Sequence, residues 1–514
     1  MFESLSLSAI LLTLSLILII RIVAKFFIKP YIILRRLSKY RGAICKYIPV
    51  VGMFGDMMQS MKTHGDSFYN IKQIVKQNPD LRFIASPMGD RIVFELYDLE
   101  LIKEFVGKQN KMSIKDTQVM GSMPRAVLQG LAFTEGEKWK NQRKVISQVF
   151  HFDYMNQCIP SINYLAKKWI ESNCEKKDSG VNLHKELLIF TSLVVWVSLF
   201  GQDSFEESEE DARKFLEIMI RQAKDTTELI MSPLNGLLGP KVQKLGLRAA
   251  DRRHARDTIL LDEMFKWKLE EIKKKYRERK TVSPDYKPKN FIEILVEESM
   301  KPSGTEKFSE AEIMPQVLTF MIAGSETMQG TLNFGHYVLA RNPGIQDKIR
   351  EEIKLYLDET ADITYEQLGK MEYLNAFVKE LLRMYPTTPI LFHRIVTEDT
   401  MLGDVKIPKD YGLTINLVGV AHNPKFFDKP EEFRPERWLE KDGVGVKDPM
   451  AFLPFSAGSR RCIGEQLVYI ETKIMFCQLL RKYRIEIDES YKLRPAFHVI
   501  FEPADPIIAR YIKL

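Results

Sequence analysis

A mainly α-helical fold with a small β-rich region is what this chain of 514 residues predicts, from three observations. Most segments place apolar residues at the three-to-four spacing of a helix face. One such stretch, Ser309 to Arg341, is too long for an ordinary surface helix. Runs with strand character are few, short and confined to the two ends of the sequence.

Taken in order, the chain begins with an uncharged apolar run, Leu5 to Ile20, followed by Arg21, Lys25, Lys29, Arg35, Arg36, Lys39, Arg41 and Lys46. That asymmetry predicts a single-pass anchor with the bulk of the chain on the cytosolic side. Snorkelling by Arg21 and Lys25 extends the helix through Ile28. A cleaved signal peptide is the competing reading, but no basic region precedes the run and no small-x-small site follows it. The expected organisation is an anchor over 1–28, a basic linker and hinge over 29–52 ending in Ile48-Pro49-Val50-Val51-Gly52, and one large domain over 53–514. Leu81 to Ala85 and Arg91 to Phe94, split by Ser-Pro-Met-Gly-Asp, predict a β-hairpin. Ala496 to Glu502 and Ile507 to Ile512 predict further strands, so that the β region is built from both ends. Lys273 to Asn290 is dense in Lys and Arg with Pro284 and Pro288, which predicts a solvated helix end and loop.

At 45% hydrophobic and 28% charged residues, the chain has ample material for a large core, which excludes disorder as its default. The net charge of +7 favours acidic partners or membranes, but the cations are dispersed and no nucleic-acid motif accompanies them. Cys45, Cys158, Cys174, Cys462 and Cys477 show no paired spacing, so neither a disulfide scaffold nor a zinc site is expected. His151, His254, His336, His393 and His422 have no metal-ligand spacing either. A dinucleotide fingerprint and a P-loop are both missing, so direct electron uptake from a nicotinamide is not expected.

The most specific segment is Phe455-Ser456-Ala457-Gly458-Ser459-Arg460-Arg461-Cys462-Ile463-Gly464. A Cys beside two arginines and a probable helix start is placed to ionise. Gly458 permits a positive-φ turn, and Gly464 lets backbone approach a flat ligand where a β-carbon would collide. Phe455 can shield the sulfur. By this pattern the chain resembles the cytochrome P450 family of haem-thiolate monooxygenases, over nearly everything after residue 45 and most strongly from Glu310 to Glu471.

The resemblance implies haem b (iron protoporphyrin IX) held between the long central helix and the Cys loop, with the Cys462 thiolate as axial ligand. Ala323-Gly324-Ser325-Glu326-Thr327 resembles the family's oxygen-activating segment. Ala323 and Gly324 would leave room over the iron, Thr327 would locally open the helical ladder, and Glu326 would relay protons. By themselves these small residues are better read as permitting close helix packing. Arg460, Arg394, Trp139 and Arg143 resemble the family's propionate contacts. Glu380, Arg383 and Arg437, in Glu-Leu-Leu-Arg and Phe-Arg-Pro-Glu-Arg-Trp, imply a buried structural cluster. Met328 stands where many relatives carry a second Thr, and the hinge is degenerate.

The implied function is insertion of one atom of O2 into a lipophilic small molecule, at the endoplasmic reticulum membrane. NADPH would supply electrons through a separate flavoprotein reductase, with cytochrome b5 as an optional donor. Substrate contacts would come from Met112 to Leu131, Ile218 to Leu238 and Thr387 to Phe392. Rival readings are a haem-thiolate isomerase or dehydratase, which would need no relay, and a non-catalytic haem sensor or electron carrier.

Overall fold

In a computed structural model, the structure describes residues 7–116, 123, 125–150, 152–175, 180–201, 209–230, 232, 234–235, 239–302, 308–358, 361–391, 393–440, 446, 448–498 and 500–514. Parts of the three expected substrate segments, including Phe392, lie outside the described residues.

The helices that frame the interior are α1 (Leu7–Val23), α2 (Gly136–Ile146), α3 (Phe152–Cys174), α4 (Leu183–Phe200), α5 (Ala249–Val282), α6 (Ile313–Arg341), α7 (Glu372–Met384) and α8 (Glu465–Leu480). The central α6 has defined ends. Ser309 and Glu312 form a capping box ahead of it, and Asn342-Pro343 ends it. Its apolar residues are buried on nearly all sides, as expected of a helix running through a core. α4 lies along it, and Thr191 Oγ1 donates to the Ser325 carbonyl at 2.9 Å. Close approach of α8 is set at Gly335, where a β-carbon would strike the Phe476 ring at 2.5 Å.

Six strands form the main sheet: β1 (Ala43–Cys45), β2 (Phe83–Met88), β3 (Arg91–Leu96), β4 (Ser113–Lys115), β5 (Arg394–Val396) and β6 (Gly412–Ile415). Their order is β1-β2-β3-β6-β5-β4. The expected hairpin is β2–β3, antiparallel from Phe83↔Leu96 to Met88↔Arg91, with Gly89 at φ 61° in its turn. Near the C-terminus lie β7 (Tyr483–Ile487), β8 (Pro495–Phe497), β9 (Phe501–Pro503) and β10 (Ile508–Lys513).

Three expectations are corrected. The main sheet joins N-terminal strands to residues 394–415, while the C-terminal strands lie in small separate sheets, one of them shared with Val181–Asn182, so the β region is not one body built from both ends. Ala496 to Glu502 is a hairpin, β8–β9, because Pro495 and Pro503 pair at its open end and leave no donor to lengthen the ladder. Lys273 is not solvated: its ammonium is buried between Glu270 at 2.8 Å and Glu310 at 2.7 Å, tying α5 to the entrance of α6.

Residues 29–52 also pack on the domain. Leu34 and Leu37 are buried, β1 pairs in parallel with β2, and Tyr47 donates to the Phe27 carbonyl at 3.0 Å. Lys25 reaches Asp90 at 2.8 Å. Ahead of them, the large apolar side chains from Leu11 to Val23 are exposed, 74% in the case of Leu12. By length and composition this segment, Leu11–Leu37, is apolar enough to cross a membrane.

Candidate active site

The loop before α8 is a closed turn. Cys462 N–H donates to the Phe455 carbonyl at 2.8 Å, and Gly458 takes φ 69° as expected. Ser456 at φ 59° is a second left-handed residue, not foreseen because serine has no special freedom there. α8 begins just beyond, so the Gly464 and Glu465 N–H groups point at the Cys462 sulfur. Burial nonetheless outweighs those donors and the charge of Arg143, and pushes the thiol up. The expectation of a thiol ionised by its own surroundings is therefore corrected. Arg460 and Arg461 are engaged elsewhere, on Glu135 and Glu465, and a bound cation must finish the deprotonation.

Protein surrounds Cys462 on all sides, yet its side chain keeps accessible surface. Ala323, in the middle of the core helix α6, is likewise accessible. Accessible surface deep within the protein means an internal space. A pocket of about 300 Å3 elsewhere, lined by Tyr154, Glu271 and Arg279 among others, includes neither residue.

At one side of the site, Arg460 lies over the Trp139 ring with its guanidinium carbon 3.9 Å from the centroid. It donates to Glu135, to Asn110 Oδ1 at 2.7 Å and to the Thr134 carbonyl at 2.9 Å. Arg394 reaches the same Glu135 at 3.1 Å and Ser113 Oγ at 2.9 Å. Lys115 stands beside both. Burial, then the like charges of Arg394 and Arg460, push it down to about 7 against the pull of Glu135. Among the described residues, Glu135 is the carboxylate acting on all three cations.

Buried cations require counter-charge, and among the described residues Glu135 is the carboxylate that this cluster shares. Arg394 Nη1, buried and without a hydrogen-bond partner, marks where a further acceptor would fit. A ligand bearing two carboxylates beside a sulfur-ligated metal would complete it, and haem has that composition. The residues present therefore fit the group. Lys115, Glu135 and Asn110 were missed in the sequence, where nothing distinguishes them from surface residues. Arg143 takes a different place from Arg460: it donates to the Arg461 carbonyl at 2.9 Å and its charge acts on Cys462.

On α6, Thr327 Oγ1 donates to the Ala323 carbonyl at 2.7 Å, although the α-helix continues without a bulge. Gly324 differs from the expectation of room over an iron. A β-carbon there would strike Val195 Cγ2 at 2.7 Å, so its small size serves the packing of α6 on α4. Glu326 is half-buried on the core helix, and desolvation followed by the charge of Glu502 pushes it up to about 7. A β-carbon-sized addition at Gly464 would meet only Cys462 Sγ, at 3.9 Å.

Behind the site, Glu380 and Arg383 pair at 2.8 Å and Glu380 and Arg437 at 2.9 Å, all three side chains without exposure. Trp438 Nε1 and the Arg434 backbone N–H donate to the same carboxylate, each at 2.9 Å. Sequence distance between α7 and residues 434–438 is thus closed as expected.

Residues 50–508 match the family model described as Cytochrome P450. Cytochrome P450 4X1 of Homo sapiens is 25% identical over 456 residues, covering 87% of this chain and 87% of that protein. Cytochrome P450 3A31 of Mesocricetus auratus is 26% identical over 435 residues, covering 82% and 83%. The crystal structure of the cytochrome P450DA heme domain superposes with a TM-score of 0.74 at 21% identity, over 92% of this chain and 97% of that one, and shares the fold. A match this continuous, with Cys462 and the Arg460–Arg394 cluster in one site, places the chain in the cytochrome P450 family as a haem-thiolate monooxygenase.

Proposed function

We propose that this chain is a membrane-anchored monooxygenase of lipophilic small molecules, taking electrons from NADPH through a separate flavoprotein reductase, with cytochrome b5 as an optional donor. Cys462 would supply the thiolate that holds the haem iron, and Arg460, Arg394, Lys115 and Trp139 would hold the propionates. Haem so bound supplies the oxygen-activating chemistry. Phe455, partly buried against Tyr469, limits water at the sulfur. Glu380, Arg383 and Arg437 hold the frame of the pocket and take no part in the chemistry.

The observation that carries the reading is Glu326 beside Thr327 on a core helix. A carboxyl raised to about 7 holds and releases protons at neutral pH, and the Thr327 hydroxyl, while donating to Ala323, keeps lone pairs free to accept. A peroxide isomerase or an electron carrier would need neither group. The exposed α1 and the basic run after it favour an internal membrane such as the endoplasmic reticulum, with the domain on the cytosolic side.

The test is reconstitution with a P450 reductase, NADPH and a panel of lipophilic compounds. A strongly red-shifted Soret band of the reduced, carbon monoxide-treated protein, lost in Cys462→His, is the entry criterion. Thr327→Ala should keep that band, consume NADPH and divert electrons to hydrogen peroxide. Unchanged coupling in Thr327→Ala would remove its assigned role.

A further inference from the structure

Glu502 lies in β9, which packs on α6. The Phe501 ring is 5.3 Å from Phe334, and a β-carbon at Gly330 would sit 3.1 Å from the Phe501 carbonyl oxygen. This seating brings the Glu502 carboxylate close enough to Glu326 to act on it, and among the described residues it is the charged group that does so. On its other side Glu502 meets two imidazoles. His184 Nδ1, from the first turn of α4, is 3.5 Å away, and His498 Nδ1, on the same hairpin, is 3.3 Å away.

Exposure rises from the carboxyls to the imidazoles. Glu326 and Glu502 are both half-buried, Glu502 at 16% exposure, and His184 and His498 are 45% and 48% exposed. We propose that Glu502, with His184 and His498 at its outer edge, is the solvent-side station that returns protons to Glu326. The proposal rests on the proton-relay reading of Glu326. Imidazole takes and gives protons between pH 5 and 8, which suits it to the wet end of such a path. The leg between the two carboxyls would be carried by a bridging water.

His184 also has a second partner. Gln329 Nε2, one turn beyond Glu326 on α6, lies 3.0 Å from the same Nδ1. Neutral His184 accepts from the amide; protonated, its Nδ1–H donates to Glu502 instead. The ring thus changes partners as it passes a proton inward. For each proton delivered, Glu326 loses one, Glu502 replaces it, and an imidazole recharges Glu502 from solvent. Among the described residues, the groups that act on this cluster are Glu326 from α6, His184 from α4 with Gln329 of α6 behind it, and His498 from the hairpin of Glu502 itself.

The test compares Glu502→Gln, Glu502→Asp and the double variant His184→Gln/His498→Gln with the parent, as full-length holoprotein. Infrared titration of the resting protein follows the Glu326 carboxyl band, identified by its disappearance in Glu326→Gln. Removing the neighbouring charge in Glu502→Gln should lower the midpoint of that band by about one pH unit, and Glu502→Asp should keep most of the parent value. In turnover, Glu502→Gln and the double His variant should show an enlarged solvent deuterium isotope effect and more peroxide per NADPH. An unmoved band with an unchanged isotope effect in Glu502→Gln would overturn the proposal. If Glu326→Gln itself leaves coupling unaffected, the underlying relay fails; if Glu326→Gln is impaired and the outer variants match the parent, only the outer station fails.

Discussion

Replacing Glu380 with Gln keeps the shape of the buried cluster and removes its only carboxylate. Glu380 Oε1 accepts from Arg383 Nη2, Arg437 Nε and the Arg434 N–H, while Oε2 accepts from Arg383 Nε and Trp438 Nε1. A glutamine must place its NH2 at one of these positions. The Oε2 position is the less costly, since two donors rather than three then face a donor. Two charge-assisted hydrogen bonds at roughly 1.5–3 kcal/mol each give a loss of about 3–6 kcal/mol. This agrees with the roughly 3–5 kcal/mol expected when a buried ion pair loses one partner. Backbone carbonyls, Ala421 and Pro430 for Arg383 and Asp428 for Arg437, hold the arginines in place and cap the loss at that level.

The assay is urea unfolding of the full chain in detergent, followed by far-ultraviolet circular dichroism. Glu440→Gln is the control: its ion pair with Arg434, 3.4 Å and partly exposed, should contribute less than about 1 kcal/mol. Burial pushes the Glu380 carboxyl up, but Arg383 and Arg437 outweigh it and hold it below its usual value. A depressed folded value means that the contribution is present at neutral pH and is lost as pH falls through that value. The gap between parent and Glu380→Gln should therefore close under acid conditions. A Glu380→Gln midpoint matching that of Glu440→Gln at pH 7 would refute the reasoning.

Gly324→Ala should destabilise by about 1–2 kcal/mol, the overpacking against Val195 Cγ2 exceeding the helix-propensity gain, and Val195→Ala should restore the loss in urea midpoints. Glu326→Gln should match the parent in stability near pH 4 and exceed it by up to about 3 kcal/mol at pH 8. The sign follows because the desolvated carboxyl is raised from 4.5 to about 7, so the parent loses stability as pH rises through that window; a gap independent of pH would contradict it. Deleting residues 1–28 should release the protein from membranes after an alkaline carbonate wash, and retention would show that another surface anchors it.

The cysteine loop, the long central helix and the Glu380–Arg383 pair were legible in the sequence because each depends on residues close together in the chain. A left-handed turn needs Gly458 where it stands, and a helix face needs only its own periodicity. Fixed spacing likewise marked Cys462, Arg460 and the Glu326–Thr327 pair. Tertiary structure alone decided which groups those residues meet. Glu135 and Lys115 become part of the site only because β4 and β5 pair beside the loop, and Glu502 reaches Glu326 only because a distant hairpin packs on α6. It also decided signs that composition suggested wrongly. Cys462 lies beside two arginines in sequence, yet its thiol is raised, because desolvation depends on the protein gathered around the sulfur and those arginines turn to other partners. Gly324 shows the same for shape: a missing side chain records that something must come close, and only the packed neighbours show that it is Val195.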